Sequence, residues 1–217
     1  MVNRVTRVHT FLQFGPLAAQ GGFFFLCATR LALIFVATVL VGCSTTKLNP
    51  GKTGWTATYN LVSGQIPNTL VAHFPQDLGK SPVEYSVDQS LKGSLKMHAG
   101  ALDSATKLFH KFDGESVSLQ DATCLFLSKK TVQDLRNEQV VQLTIPQGFT
   151  DKRRKFAVKE KLEYPVLING KTKKMDALHL QTLGKPRFSI WVLDSDSYPL
   201  IIRMDLGWQL LLSDIKT

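Results

Sequence analysis

The stretch FAVKEKLEYPV (residues 156–166) decides the fold class, because apolar and charged residues alternate along it. The apolar side chains share one side of an extended chain and are Phe156, Val158, Leu162, Tyr164 and Val166. Lys159, Lys161 and Glu163 lie between them, and Glu160 is the one charged residue on the apolar side. Such a period of two is typical of a strand with one face on a core and the other in water. We therefore predict a half-buried antiparallel strand.

A turn and three or four further strands are predicted after this stretch. Asn169-Gly170 follows it and favours a tight hairpin, because both residues tolerate positive φ. Strand-forming runs then cover residues 177–182, 187–194, 200–206 and 208–215. Only short turns separate them, so the pattern predicts an antiparallel meander and not alternating strands and helices.

The N-terminal half also predicts strands, over residues 55–62, 69–74, 83–89 and 94–97. One helix is expected over residues 119–136, because Ser118-Leu119-Gln120-Asp121 resembles a capping arrangement and apolar residues then recur at helical spacing. The run CLFL (residues 124–127) could equally form a buried strand.

Apolar residues occupy both faces of the last strands. Trp191 and Leu193 share one face, and Ile190 and Val192 share the other, so both faces must be covered. Either a helix packed against the concave face of a curved sheet or an enclosed apolar ligand would cover the inner face of these strands. The predicted fold class is mainly β (α+β), a curved antiparallel sheet or half-barrel with one helix packed near its concave face.

The N-terminus carries a second signal, an apolar run between Arg30 and Cys43. Twelve uncharged residues in helix span about 18 Å, which is too short for a bilayer core. A positive flank, a short apolar core and small residues before a cleavage point are typical of an export signal. An uncleaved signal anchor and an ordinary apolar cysteine are the alternatives.

The tetrad Leu40-Val41-Gly42-Cys43 resembles a bacterial lipobox. In lipoproteins of that family the cysteine receives a diacylglyceryl group, the leader is cut before it, and the new amino terminus takes a fatty acid such as palmitate. The resemblance implies a signal peptide over residues 1–42 (of which 1–29 could be an overextended start), a lipidated tether over 43–54 and one domain over 55–217. Ser44 in place of an aspartate favours the outer membrane, facing the periplasm.

The predicted mature chain of 175 residues is long enough for one domain with its own core. It has 23 basic and 17 acidic residues, a net charge of +6. Cys124 is its single cysteine after Cys43 and lies in an apolar run, so we predict a buried, unreactive thiol.

No residue set indicates catalysis, a metal or a cofactor. His73, His98 and His110 lack metal-binding spacing, and His179 lies in a predicted strand. His110 and Asp113 could be drawn as a base and its orienting carboxylate, but no nucleophile accompanies them. Three carboxylates near one hairpin lack the pattern of a calcium loop and are Asp194, Asp196 and Asp205. No glycine-rich phosphate loop is present.

Residues 151–174 contain nine lysines or arginines against three acids. The hairpin prediction divides them into a basic tip (residues 171–174) and a basic end. The basic end is a candidate anionic-partner patch and comprises Lys152, Arg153, Arg154, Lys155, Lys185 and Arg187. Lipid phosphates or acidic glycans are the expected partners, and export excludes nucleic acid. The alternative is a solvated edge that discourages aggregation.

The C-terminal half resembles an uncharacterised family of periplasmic and lipoprotein domains. The residues that carry the resemblance are Trp191, the acidic turn at 194–196, Tyr198-Pro199-Leu200 and the two closing strands. The incomplete antiparallel barrel of that family is similar to the lipoprotein carrier and receptor LolA and LolB. The resemblance implies this fold and an envelope location, and no catalytic residues.

Three functions follow as hypotheses. The first is a non-enzymatic envelope lipoprotein that binds or helps to move a lipid, an amphipathic molecule or a glycan. The second is a structural or assembly partner in an envelope complex. The third is an enzyme that processes an envelope polymer, which would require a histidine beside a carboxylate in a pocket.

Overall fold

A computed structural model describes Leu48 and residues 54–64, 66–147 and 150–217. This part of the chain belongs to one compact unit and is mainly β, as predicted. The predicted signal peptide, the lipobox with Cys43 and residues 49–53 of the predicted tether lie outside the described residues.

Thirteen strands and two short helices make up the described part of the chain. The strands are β1 (Trp55–Ser63), β2 (Ile66–Phe74), β3 (Val83–Val87), β4 (Leu91–Met97), β5 (Lys107–Leu108), β6 (Ser116–Leu119), β7 (Ala122–Thr123), β8 (Val141–Gln147), β9 (Thr150–Ile168), β10 (Lys171–Thr182), β11 (Ser189–Leu193), β12 (Ile201–Asp205) and β13 (Gln209–Lys216). The helices are α1 (Ala99–Ser104) and α2 (Lys129–Arg136).

All thirteen strands belong to one sheet in the order β6-β4-β3-β2-β1-β13-β12-β11-β10-β9-β8-β5-β7. In the part of this order that runs from β4 to β8, every strand pairs antiparallel with the next, as predicted. Parallel pairs join β6 to β4 and β5 to both β7 and β8, and Ile215 near the end of β13 pairs in parallel with Ile168 at the end of β9. The sheet is therefore mixed.

The hairpin predicted at Asn169-Gly170 is confirmed. Ile168 pairs with Lys171 across a two-residue turn, and the two turn residues have φ of 51° and 73°. Between this turn and the start of β9 the register shifts once, so that Val158 pairs with Leu180 but Glu160 pairs with His179. The intervening Lys159 is the extra residue of a β-bulge, which bends the long hairpin.

The sheet curves until its two edges come close together. The edge strands β6 and β7 are separated along the chain by only Gln120 and Asp121. Three peptide units span at most about 11 Å, so the last residue of β6 lies within that distance of the first residue of β7. No hydrogen-bonded ladder joins β6 to β7 within the described residues, and the backbone N–H of Cys124 instead donates to Met97 Sδ at 3.3 Å.

The antiparallel order gives the sheet two distinct ends. We call one the tether end, because β1 begins there at Trp55, next to the end of β13. Helix α1, the β2–β3 and β11–β12 connections and the β9–β10 turn also lie at the tether end, and Arg136 at the end of α2 bonds the β11–β12 connection there. The opposite far end carries the β8–β9, β10–β11 and β12–β13 connections.

The predicted helix over residues 119–136 is wrong in its first ten residues. Helix α2 begins only at Lys129, because Ser128 caps it by accepting from the N–H of Thr131 at 3.3 Å. The predicted capping residue Ser118 instead bonds the His98 ring at 2.8 Å. Helix α1 was not predicted.

Residues 124–128, here called the plug segment, cover the concave face in place of that helix. Phe126 forms a bridge with Leu200, and the N–H of Ile201 donates to the carbonyl of Leu125 at 2.8 Å. The alternative interpretation of residues 124–127 as a buried strand was therefore nearer the structure. The plug segment supplies the cover that the two-sided apolar strands required.

One hydrophobic core fills the inside of the curved sheet. Its largest fully buried side chains include Tyr59, Phe74, Phe126 and Phe156. The Tyr59 hydroxyl donates to the carbonyl of Ile201 at 3.1 Å, and burial raises the pKa of this phenol well above its ordinary value. The inside of the sheet is therefore occupied by the protein's own side chains.

Candidate functional site

A cleft of about 770 Å³ opens at the tether end of the described part of the chain. Its walls come from four separate pieces of chain: residues 76–79 of the β2–β3 connection, Leu102 of α1, residues 126–129, and residues 196–199 of the β11–β12 turn. We call it the tether-end cleft. Its volume falls in the range typical of small-molecule sites.

Aromatic rings form the inner wall of the tether-end cleft. Trp55 stacks on Phe74 with ring centroids 4.1 Å apart, and Phe126 meets both rings edge-on. Tyr198 meets Trp55 edge-on at 6.1 Å and lines the cleft with Phe126. This cluster holds the first residue of β1, the end of β2 and the plug segment together, so the wall is rigidly supported.

The acidic turn of the cleft is held by Arg136, the last residue of α2. Its Nε donates to Asp194 Oδ1 at 2.5 Å, and its Nη1 donates to Asp196. Burial opposes the charge of Arg136, but the hydrogen bonds to Asp196 and Asp194 outweigh burial and raise the pKa of the guanidinium. The acidic turn is thus fixed to α2 at the rim of the tether-end cleft.

Ion pairs also occupy the rim of the cleft that is formed by α1, the start of α2 and the β2–β3 connection. Lys129 pairs with Asp103 at 2.9 Å, and Asp77 pairs with Lys80 at the same distance. The hydrogen bond from Lys80 lowers the pKa of the Asp77 carboxyl. The rim is therefore polar with both signs of charge, and the wall below it is apolar and aromatic. Such a gradient suits a ligand with a polar head and an apolar part.

A second, polar groove of about 420 Å³ lies beside α2 and β8. Thr106, Lys130, Thr144 and Arg153 are among the residues that line it. Lys130 is already bonded to both oxygens of Asp134, at 3.0 and 2.8 Å. Arg153, a residue of the predicted basic end, thus lines this groove.

The remaining members of the predicted basic end lie around the far end. The N–H of Leu183 donates to the Lys155 carbonyl at 2.8 Å, which brings the segment with Lys185 and Arg187 beside Lys155. Alternation along β9 divides its four cations between the two faces of the sheet, with Lys152 and Arg154 on one and Arg153 and Lys155 on the other. Arg154 donates to Gln147 at 2.7 Å.

Within the described residues, no hydrogen bond or ion pair joins His73, His98 or His110 to a carboxylate. His73 bonds Thr56 at 2.9 Å and His98 bonds Ser118 at 2.8 Å. His110 stacks on Trp208, and burial lowers the pKa of its imidazole, although the Asp151 carboxylate opposes part of this lowering of the His110 pKa. The Asp113 carboxylate accepts from the N–H of Glu115, so His110 and Asp113 are not brought together as a pair.

A histidine–carboxylate pair does occur at His179, which the sequence indicated only as a strand residue. Its Nδ1 lies 2.8 Å from Glu160, and its ring is stacked on Trp191 at 4.1 Å. The guanidinium of Arg203 lies 4.6 Å from the centre of the Trp191 ring. This row crosses β9, β10, β11 and β12 on one face of the sheet. The sign of this row in the sequence was Glu160, the one charged residue on the apolar side of residues 156–166.

The three aspartates weighed as a cation site are separated. Asp194 and Asp196 bind Arg136, and Asp205 lies at the opposite end of β12. No group of three or more histidine, cysteine or acidic side chains could hold a metal ion in the part of the chain that the structure describes. Burial raises the pKa of the Cys124 thiol far above its ordinary value, so this cysteine is unsuited to nucleophilic chemistry.

Comparison of the chain with protein-family models, curated proteins and solved structures gave no match. Within the described ranges, neither helix has the length and hydropathy needed to cross a bilayer.

Proposed function

We propose that this protein is a non-enzymatic lipoprotein of the cell envelope whose tether-end cleft binds an amphipathic molecule. The resemblance of residues 40–43 to a lipobox supports anchoring through Cys43, and the resemblance of the C-terminal half to periplasmic domains supports the same location. A lipid with a polar head, or a lipid-linked glycan, has the chemistry that the cleft would recognise.

The position of the tether-end cleft carries this proposal. The cleft opens at the end of the sheet where β1 starts, twelve residues after Cys43. An anchored domain would therefore have this end closest to the bilayer. The protein's own side chains form the core inside the sheet, so the ligand would place its apolar portion in the cleft, against Phe126 and Tyr198.

Native mass spectrometry after gentle detergent extraction tests the proposal. The wild-type protein should carry a co-purifying mass beyond that of its own anchor. Leu102→Trp should displace this mass, because Leu102 lines the tether-end cleft from α1. Ile66→Trp is the matched control, since Ile66 is exposed at the far end. The proposal fails if wild type carries no such mass, or if Leu102→Trp retains it in full.

A role as an assembly partner is the second candidate, and the filled core favours it. Its edge strands β6 and β7 have four and two residues and lie close to each other, so strand addition at the edges is disfavoured. A partner would instead bind a face or an end. Under this function Leu102→Trp would leave envelope integrity unchanged in cells, whereas under ligand binding it would reproduce the phenotype of deletion.

A further inference from the structure

The β9–β10 turn, the C-terminal residues and the start of β1 meet at one place. Thr56 pairs with Lys216 and Ile215 pairs with Ile168, so β13 lies between β1 and the end of β9. Neighbouring strands are about 4.8 Å apart. This spacing places the tip of the β9–β10 hairpin (residues 165–174, here called the hairpin tip) roughly 10 Å from the start of β1.

Hydrogen bonds fix the hairpin tip in this position. The N–H of Asn169 donates to the Ile215 carbonyl at 2.8 Å. The side chain of Asn169 donates to Thr217 Oγ1 at 2.9 Å and accepts from the N–H of Thr217 at 3.0 Å. The hairpin tip is therefore held against the end of β13.

The hairpin tip is strongly basic. Residues 165–174 contain three lysines and no acid, and Lys216 lies close by on β13. Lys174 pairs with Glu163 at 3.1 Å, but Lys171, Lys173 and Lys216 form no ion pair within the described residues. Glu163 and its cross-strand partner Asp176 are the nearest carboxylates on the hairpin, and both are set back from the turn. Leu167, also in the tip, is exposed.

Most other cations at the tether end are paired, which distinguishes the tip. Lys80, Lys129 and Arg136 each pair with an aspartate, whereas Lys96, the next-to-last residue of β4, forms no ion pair among the described residues. An anionic surface that approaches the tether end therefore meets uncompensated charge mainly at the tip. The exposed Leu167 beside lysines matches a bilayer surface, where lysines contact headgroups and an apolar side chain enters the layer beneath them.

The tether favours the same orientation. Leu48 is only 7% exposed and belongs to the core. A fully extended chain spans about 3.5 Å per residue, so Cys43 stays within about 18 Å of Leu48. The basic end lies at the other end of β9, on the order of 40 Å along the strand from its last residue. The short distance from the start of β1 to the tip favours the tip over the basic end as the surface nearest the anchor.

We propose that Lys171, Lys173, Lys174 and Lys216, with Leu167, form a docking surface for anionic lipid headgroups that holds the tether end of the anchored domain against the bilayer. This inference rests on the proposed anchor at Cys43. It assigns the membrane contact to the hairpin tip and turns the basic end, with Lys152 and Arg187, away from the bilayer. Each lysine is expected to shift the ratio of docked to undocked domains roughly fivefold at low salt.

Depth-dependent quenching on vesicles tests this orientation. The lipidated mature chain, bearing a fluorophore on Thr172→Cys or on Leu183→Cys, is reconstituted into phosphatidylcholine vesicles with or without 30% phosphatidylglycerol. A nitroxide on the lipid headgroups quenches any fluorophore near the surface. We expect quenching at position 172 only on the anionic vesicles, little quenching at position 183, and loss of quenching in high salt.

Charge reversal provides the matched comparison. K171E/K173E/K174E should abolish the quenching at position 172, and K152E/R153E/K155E, also a triple reversal on β9 or β10, should preserve it. Equal quenching in both triple variants, or stronger quenching at position 183 than at 172, overturns the inference.

Flotation of the same vesicles in high salt separates failure of the anchor from failure of the docking surface. A lipidated chain floats with the vesicles whatever the charge of the tip, so failure to float overturns the proposed anchor. A chain that floats but shows no quenching at position 172 overturns the docking surface alone. Resistance of Cys124 to thiol reagents in each variant verifies that the domain is folded.

Discussion

The imidazole of His179 lies flat on the indole of Trp191, with ring centroids 4.1 Å apart and an angle of 10° between the ring planes. Arg203 contacts the Trp191 ring from the next strand, and Glu160 bonds the imidazole from the strand before. This row of four side chains lies on the same face of the strands as the buried Ala177 and Leu193, and Trp191 packs against the core. The row therefore continues the buried apolar surface on this face of the last strands.

Trp191 supports both contacts in this row, so its removal should be costly. We expect Trp191→Ala to lower the free energy of unfolding by about 3 kcal/mol, through lost packing and a lost cation–π contact. Trp191→Phe, which keeps a ring between His179 and Arg203, should retain more than half of that energy. Urea unfolding of the three proteins provides the measurement, and a loss below about 1 kcal/mol for Trp191→Ala would contradict this role.

Glu160 should make stability depend on acid pH. Its hydrogen bond with His179 lowers the pKa of the Glu160 carboxyl in the folded state. Because the folded pKa lies below the unfolded one, the stabilisation is complete above the ordinary carboxyl pKa and disappears as the pH falls through the folded pKa.

The test compares wild type with Glu160→Gln. The difference in Tm should be constant above about pH 5 and should shrink towards zero at lower pH. Glu138→Gln, at an exposed position after α2, serves as the control and should show no such dependence. A Tm difference for Glu160→Gln that persists unchanged at pH 3 would show that the carboxylate charge is irrelevant.

The number of reactive thiols should show both whether the domain is folded and whether Cys43 is lipidated. Cys124 is buried and its thiol pKa is raised, so it should resist a thiol reagent in the native protein and react after denaturation. If Cys43 carries a lipid, the denatured mature chain should expose one reactive thiol, that of Cys124. Two thiols in the denatured mature wild type would exclude lipidation of Cys43.

Arg136 should couple α2 to the acidic turn. We expect Arg136→Ala to cost about 2 kcal/mol, mainly through Asp194, because the side chain of Asp196 is 82% exposed and its bond is screened by water. Arg136→Lys should recover only part of this, since a lysine cannot present two fixed donors to two carboxylates.

A double-mutant cycle measures this coupling. Arg136→Ala combined with Asp194→Asn should cost clearly less than the sum of the two single changes. Strict additivity would mean that the pair contributes nothing to stability. If the tether-end cleft binds a ligand, Arg136→Ala should also weaken that binding, because the acidic turn forms part of the cleft wall.

Local sequence patterns determined nine of the thirteen strands, all but β5, β6, β7 and β8, and also the hairpin at Asn169-Gly170 and the burial of Cys124. Each depends on neighbours within a few residues: a period of two, a turn that needs positive φ, or an apolar run. The start of α2 was misplaced because apolar spacing at residues 119–127 fits a helix as well as a buried segment. Only the contact of Phe126 with Leu200 decides between them.

The sequence by itself thus determined where most of the longer strands lie and which charges cluster along the chain. The tertiary structure alone decided which of these segments meet: the row from Glu160 to Arg203, the walls of the tether-end cleft, and the approach of the lysine-rich tip to the start of β1. The physical reason is that strand order and sheet curvature depend on the packing of one shared core. Those contacts join residues far apart in the chain, and no local pattern encodes them.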